Sequence, residues 1–220
     1  SSVGVAPEDV KYVIPTHVHL DHAGGAGVMM QAFNQAQLII HPSGAKHMID
    51  PSQLITASKQ VYGEQTFQRL YGEIPPIDAA RVISAEDNSS FKLGNREFLI
   101  LHTPGHAYHH FCVVDAYSDG IFTGDTFGLA YPSLQEHENE PFLLPTTSPA
   151  AFSPDDLITS ITRMRERRPQ VLLPTHFGPV AAFPAAIDRL VEQIEAYREL
   201  GLADPPLASS ALRATLQRIS

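Results

Sequence analysis

Four short apolar runs in this 220-residue chain each lead into a turn of small residues that carries histidine or aspartate. The runs are YVI, FLIL, GIF and VLL, and the turns after them contain THVHLDHAGG, TPGHA, TGDT and PTHFG. Apolar runs of this kind, bounded by glycine or proline, predict short buried strands. Loops at strand ends are where an α/β domain places its functional side chains. The pattern therefore predicts an α/β fold with a site along one edge.

The remaining segments predict further strands and helices within one domain that covers residues 1–220. A strand is expected at residues 37–41, and two hairpins are expected with turns at residues 94–95 and 118–120. Residues 43–72 read as a helical insert, and residues 128–151, rich in proline, as an ordered loop. Ser153 and Pro154 predict the capped start of a helix that runs to about Arg168. C-terminal helices are expected at about residues 184–219, the first of them ended by Gly201.

Composition excludes several classes of protein. The net charge of −9 argues against a nucleic-acid partner, and no apolar run is long enough to span a membrane. The single cysteine, Cys112, lies in the apolar run FCVVD and is expected to be buried, without a disulfide. A reducing, cytoplasmic location fits this cysteine usage. Because the sequence does not begin with methionine, a leader peptide and export are left open.

The segment THVHLDHAGG carries the pattern H-x-H-x-D-H at His17, His19, Asp21 and His22. If the segment begins at the end of a strand, residues 17 and 19 project the same way, because strand side chains alternate. The turn into the glycines can then direct Asp21 and His22 to a neighbouring point. Imidazole and carboxylate together suit zinc, iron or manganese. Two imidazoles at one point, and a carboxylate with an imidazole at another, predict two divalent metal ions.

Four ligands cannot complete two metal sites, so further ligands are expected downstream. Candidates follow three other strands: His106 in TPGHA, Asp125 in FTGDT and His176 in PTHFG. Taken singly, such histidines are usually surface residues, and an aspartate after glycine commonly forms an Asx turn. Their joint occurrence with H-x-H-x-D-H favours ligation.

These four motifs, in this order, resemble those of the metallo-β-lactamase-fold hydrolases, in particular their glyoxalase II-like branch. The resemblance covers residues 16–178 and implies an αββα sandwich with a dinuclear metal centre at one edge, most simply of zinc. The family places several strands before its first motif, so we expect N-terminal strands to be missing from this sequence. The resemblance implies the following ligands: His17, His19 and His106 for one ion, Asp21, His22 and His176 for the other, and Asp125 between them.

Other side chains are expected around this centre. His109 and His110, in HAYHH, are predicted to support the ligands or line the pocket rather than to bind metal. The insert and the loop at residues 128–151 are expected to form pocket walls. The candidates for contact with substrate there are Tyr62, Phe67, Tyr131, His137 and Phe142. For the tyrosines and phenylalanines, ordinary packing in the core is an equally open alternative.

The resemblance implies hydrolysis of a small ester-like substrate by metal-bound hydroxide, with Asp21 orienting the nucleophile. A bridging aspartate and the absence of a cysteine near the motifs favour a thioester or lactone over a β-lactam. Two alternatives stay open: a di-iron protein that binds or reduces oxygen, and a metal-binding scaffold without turnover. Homodimerisation through the C-terminal helices is also left open.

Overall fold

The computed structural model describes residues 4–134, 141–147, 151–182 and 184–203. Its first sheet has three parallel strands in the order β1-β2-β3. Their bounds are Tyr12–Val13 (β1), Gln37–Ile40 (β2) and Val82–Ser84 (β3). Short strands that are buried on both faces carry a continuous apolar sequence, as LII does in β2.

The second sheet has six strands. They are Ser90–Leu93 (β4), Arg96–His102 (β5), Phe111–Asp115 (β6), Gly120–Gly124 (β7), Val171–Pro174 (β10) and Val180–Ala181 (β11). Their order is β11-β10-β7-β6-β5-β4, in which β7 and β10 are parallel and the other neighbours antiparallel. A separate two-stranded hairpin joins Leu129–Ala130 (β8) to Leu143–Leu144 (β9).

Seven α-helices lie within the described residues. They are Leu20–Ala23 (α1), Ala26–Ala32 (α2), Pro42–Ile49 (α3), Ser52–Tyr62 (α4), Glu64–Leu70 (α5), Pro154–Arg165 (α6) and Pro184–Ala203 (α7). Within the described parts of the chain, no helix is both long and apolar enough to cross a membrane.

The core shows the expected αββα sandwich. Alternate residues of a strand face opposite sides, so Phe98 and Ile100 of β5 pack with Ile39 of β2 between the two sheets. On the outer face of the second sheet, Cys112 packs against α6 and α7. On the outer face of the first, Leu38 packs against α2 and α3. Each sheet is therefore covered on one face by helices and on the other by its partner sheet.

The predicted hairpins and the helical insert are present. The first hairpin turns at residues 94–95, and β7 already begins at Gly120, so the second turn lies at residues 116–119. The predicted helical insert consists of three separate helices, α3 to α5. The loop at residues 128–151 contains the hairpin of β8 and β9, which its irregular sequence did not indicate.

Three details of the helix predictions were wrong. Ser153 occupies the N-cap position of α6, but its side chain makes no capping bond, and its N–H donates to the Gly105 carbonyl at 2.8 Å. The helix ends at Arg165 rather than near Arg168, which has a φ of +52°. Helix α7 continues through Gly201 to Ala203, since glycine lowers helix propensity without enforcing an end. The final helix expected near residue 219 lies outside the described residues.

Candidate metal centre

The segment after β1 supplies four of the predicted ligands, by a different local geometry from the one expected. Three residues separate the end of β1 at Val13 from His17, so His17 and His19 lie in a loop and not on a strand. His19 is the N-cap residue of α1, and Asp21 and His22 lie within that helix. The prediction that strand alternation aligns His17 and His19 was therefore wrong. The loop nevertheless brings His17 Nε2 to 2.9 Å from His19 Nδ1.

The other three predicted ligands follow strands of the second sheet. Strands β5 and β7 are each antiparallel to β6, and β7 is parallel to β10, so all three end at the same edge. Asp125 follows β7 directly, His176 lies two residues beyond β10, and His106 lies four residues beyond β5. The structure brings all seven predicted residues together at this edge.

Three imidazoles form the first donor group, His17, His19 and His106, whose ligand atoms lie within 4.8 Å of one another. His106 Nε2 lies 3.0 Å from His19 Nδ1. Burial lowers the pKa of His17 well below its usual range and that of His106 to about 4. These two rings are therefore neutral at pH 7, which is the form that binds a metal.

Asp21, His22 and His176 form the second donor group. His22 Nε2 lies 3.4 Å from Asp21 Oδ2, and His176 Nε2 lies 3.7 Å from the same oxygen. The Asp21 side chain is 56% exposed and that of His176 is 30% exposed, against 3% for His22. Solvent therefore reaches the cluster from the side of Asp21 and His176.

Asp125 lies between the two groups. Its Oδ2 is 3.5 Å from His106 Nε2 and 3.4 Å from His22 Nε2, while its Oδ1 is 3.5 Å from His176 Nε2. One carboxylate thus faces nitrogens of both groups.

The charge balance differs between the two groups. Burial acts to lower the pKa of His22, but Asp125 and Asp21 outweigh it and raise that pKa to about 9. The His22 imidazole, 3.4 Å away, in turn lowers the pKa of Asp21 to about 2. Carboxylate charge is therefore concentrated around the second group, whereas the first is a set of uncharged nitrogens.

The donor set fits a pair of divalent ions. His22 Nε2 and Asp125 Oδ1 are buried and make no hydrogen bond to any described residue. Buried polar atoms are normally satisfied, so unsatisfied ones that converge on a common point are expected of ligand atoms. Nitrogen and carboxylate donors suit zinc, iron or manganese. The first group with Asp125 could hold one ion, and the second group with Asp125 could hold the other.

His110 contacts Asp125 from behind rather than joining the donors. The ring is fully buried, and its Nε2 accepts a hydrogen bond from the Asp125 N–H at 3.1 Å. Its Nδ1 lies 2.8 Å from Thr103 Oγ1 and 3.0 Å from Thr126 Oγ1. Because Nε2 accepts, Nδ1 carries the proton and donates to a threonine hydroxyl. His109 is also buried, and its Nδ1 accepts from the Val18 N–H at 3.4 Å.

Two glycines allow these close approaches. Gly124 has a φ of +52°, and a Cβ there would collide with His110 and with Thr16. Gly105 has a φ of +126° and lies against the backbone of Leu157 in α6, which sets the position of the turn that carries His106. The glycines of TPG and TGD are therefore required both because their backbone angles are positive and because a side chain would not fit.

The predicted pocket walls have mixed outcomes. The Tyr131 ring pairs with that of Phe177 at 4.7 Å, a contact that the sequence did not indicate. Phe67 is 2% exposed and packs in a core cluster, so of the two open alternatives the structure shows core packing. Tyr62 and Phe142 are partly exposed, and His137 lies outside the described residues. A cavity of about 480 Å³ lies near the far end of the second sheet, and none of the donor residues lines it.

An αββα sandwich with clustered imidazoles and carboxylates at one sheet edge defines a candidate metalloprotein. The chain belongs to the Metallo-beta-lactamase superfamily, whose sequence profile matches residues 1–176. One similar protein is the metallo-beta-lactamase fold-containing protein ST1585 of Sulfurisphaera tokodaii, 26% identical over 88% of this chain and 69% of its own length. The crystal structure of ST1585 superposes with a TM-score of 0.68, at 27% identity, over 83% of this chain and 67% of that one.

Two more distant relatives are named after a catalytic activity. Acyl-coenzyme A thioesterase MBLAC2 of Gallus gallus is 27% identical over 51% of this chain and 40% of its own length. Hydroxyacylglutathione hydrolase of Pelagibacter ubique is 24% identical over 53% of this chain and 36% of its own length. The matched part thus spans well under half of either relative.

Proposed function

We propose that this protein is a metal-dependent hydrolase of a small thioester or lactone, in the glyoxalase II-like branch of its superfamily. The observation that carries the proposal is the position of Asp125, whose two carboxylate oxygens face nitrogens of both donor groups. A carboxylate so placed can hold two ions side by side, as dinuclear hydrolytic centres require.

In this proposal, the residues of the site have different roles. His17, His19 and His106 would hold one ion, Asp21, His22 and His176 would hold the other, and Asp125 would contribute a carboxylate oxygen to each. Bound divalent ions, zinc in the first place, supply hydroxide at neutral pH and stabilise a developing oxyanion. Asp21 is ionised at pH 7 and more than half exposed, so it can accept a hydrogen bond from a water molecule and orient it. His110 fixes the backbone of Asp125, and its neighbour His109 supports the loop that carries His17 and His19.

The substrate class rests on chemistry and on relatives. No thiolate belongs to the donor groups of the described residues, and the net charge of −9 disfavours polyanionic substrates. The names of the thioesterase and hydroxyacylglutathione hydrolase relatives both describe thioester hydrolysis. A small acyl thioester is therefore the first substrate to test, followed by lactones.

The test combines metal analysis with kinetics. Purified protein is expected to contain about two metal ions per chain and to hydrolyse acyl thioesters. Asp125→Ala should lower kcat/KM more than about a hundredfold, since loss of a ligand exceeds the roughly 10–100-fold cost of losing an outer partner. Asp9→Ala, which removes an exposed carboxylate that belongs to none of the donor groups, should leave kcat/KM unchanged. Full activity in metal-free protein would contradict the proposal.

A second candidate is a di-iron protein that binds or reduces oxygen. The described donor groups contain imidazole and carboxylate without thiolate, a ligand set that suits iron as well as zinc. Iron-loaded protein would then show visible absorption that bleaches on reduction, and no thioester or lactone would be hydrolysed. A colourless zinc protein with turnover would exclude this candidate.

A further inference from the structure

Phe177 combines two unfavourable properties directly beside the metal-binding cluster. Its φ of +72° lies in the left-handed region, which a bulky residue rarely adopts. Its large apolar side chain is 55% exposed and belongs to none of the core clusters of the described residues. Backbone strain of this kind persists only where the surroundings enforce it, and it is concentrated at binding sites.

The contact that Phe177 makes is with Tyr131. The two ring centroids are 4.7 Å apart, with 33° between the ring planes. Tyr131 follows β8, and its N–H donates to the Phe142 carbonyl at 3.0 Å, which ties it to the hairpin. The pair therefore connects the loop that follows Asp125 with the loop that carries His176, and together the rings form one apolar surface.

This surface lies at the open side of the cluster. The Phe177 ring is 6.2 Å from the ring of His176, whose side chain is 30% exposed. Asp21 is the most exposed donor and His19 is half-buried, while the side chains of His22, His106 and Asp125 are at most 8% exposed. A substrate that approaches the metals must enter from the exposed side, and Phe177 is adjacent in sequence and in space to that entrance.

A purely structural role explains these observations less well. Packing in the core would bury the Phe177 ring, and a tight turn after His176 would favour glycine, which indeed follows at Gly178 with a φ of +94°. An exposed aromatic ring in a strained conformation is instead expected of a residue that contacts a ligand.

We propose that Phe177 and Tyr131 bind the apolar acyl group of the substrate and so set a preference for medium-length or aromatic acyl chains over acetyl. The proposal rests on the proposed hydrolysis of small acyl substrates. Full burial of one methylene group corresponds to about a fourfold gain in affinity. A surface that covers only one side of the acyl chain gives roughly half of the corresponding free energy. We therefore expect about a twofold gain in kcat/KM per methylene, or roughly 60-fold from acetyl to octanoyl.

The kinetic test uses S-acyl thioesters of N-acetylcysteamine with acetyl, butyryl, octanoyl and benzoyl groups. Phe177→Ala and Tyr131→Ala should each lower kcat/KM for octanoyl about 10-fold or more and for acetyl less than about threefold. Phe177→Gly removes the ring while relieving the strain, so it should show the same loss with a higher Tm than Phe177→Ala. Tyr117→Ala removes an aromatic ring that is 80% exposed, at the opposite end of β6, and should leave the chain-length profile unchanged.

A binding measurement separates this proposal from the proposed function. The chain contains no tryptophan, so Phe177→Trp introduces a single fluorescent reporter at the surface. Octanoate should shift its emission with saturation, acetate should not, and the further substitution Tyr131→Ala should abolish the shift. If all thioesters are inert but octanoate still shifts the emission, the acyl surface stands and the hydrolase function fails. A chain-length preference that survives Phe177→Ala, or the absence of both preference and shift, overturns the proposal.

Discussion

The contact of His110 with Asp125 makes a prediction that needs no knowledge of the substrate. In His110→Ala, the Asp125 N–H loses its partner inside the protein, and the hydroxyls of Thr103 and Thr126 each lose one of two partners. The imidazole is fully buried, so its removal also leaves a cavity that water has little access to. Both effects act at the backbone of the residue that is proposed to bind both metals.

The magnitude follows from these contacts. An orphaned buried donor costs about 1–3 kcal/mol, and truncation of a large buried side chain adds about 2 kcal/mol or more. We expect His110→Ala to lower the free energy of unfolding by about 3–5 kcal/mol. Since partners behind a ligand typically contribute about 10–100-fold to metal affinity, a loss of that size is expected as well.

Chemical denaturation and competition with a metal chelator measure the two effects separately. His110→Gln should recover much of the affinity, because a glutamine amide oxygen can accept the Asp125 N–H where Nε2 does. His109→Ala is the matched control, since its ring is also buried but accepts a longer hydrogen bond, 3.4 Å from the Val18 N–H, and none from Asp125. It should cost less stability and change metal affinity less than about threefold. Equal losses in the His109 and His110 variants would refute the reasoning.

Three further predictions concern protons, packing and thiol reactivity. The pKa of His22 is raised to about 9, so in metal-free protein at pH 7.5 this ring carries a proton that metal binding must displace. Calorimetry of metal binding in buffers of different ionisation heat should therefore show release of about one proton. This proton release should be absent in His22→Gln. Gly105→Ala would place a Cβ against the Leu157 backbone at a φ of +126°, and should lower the free energy of unfolding, measured by urea denaturation, by about 3 kcal/mol or more. Gly25→Ala, at a position with open space and a φ of −84°, should change it by less than about 0.5 kcal/mol. Similar values for the two variants would contradict this prediction. Burial raises the pKa of Cys112 to about 12, so a disulfide reagent should modify it only after denaturation, and rapid modification of the native protein would be inconsistent with the structure.

Much of the candidate centre could be predicted from the sequence because its parts are local. The H-x-H-x-D-H motif keeps four donors within six residues, whatever the exact backbone conformation is. This is why His17 and His19 converge although they lie in a loop, where the argument from strand alternation does not apply. The other donors were predictable because each follows an apolar strand, and the order of these strands brings their ends to one edge.

Features that depend on contacts between distant segments were not predictable. Asp125 and His110 are 15 residues apart, and only the pairing of β6 with β7 brings the imidazole under the aspartate backbone. Phe67 has the residue type of a pocket wall, but packing against Leu20 and Ile74 buries it. The prediction that the Ser153 side chain caps α6 was wrong for a similar reason. The Ser153 N–H donates to the carbonyl of the distant Gly105, and the side chain makes no capping bond.

The sequence by itself determined the kind of chemistry: the donor types, their grouping around strand ends, and the α/β class that carries them. These follow from local rules, since side-chain chemistry and strand patterning act over a few residues. The tertiary structure alone decided which donors are buried, which one carries a raised pKa, and where the cluster opens to solvent. It also decided that an exposed Phe177 pairs with Tyr131 at that opening. Burial, desolvation and charge pairing depend on segments that are far apart in the chain, so no local pattern specifies them.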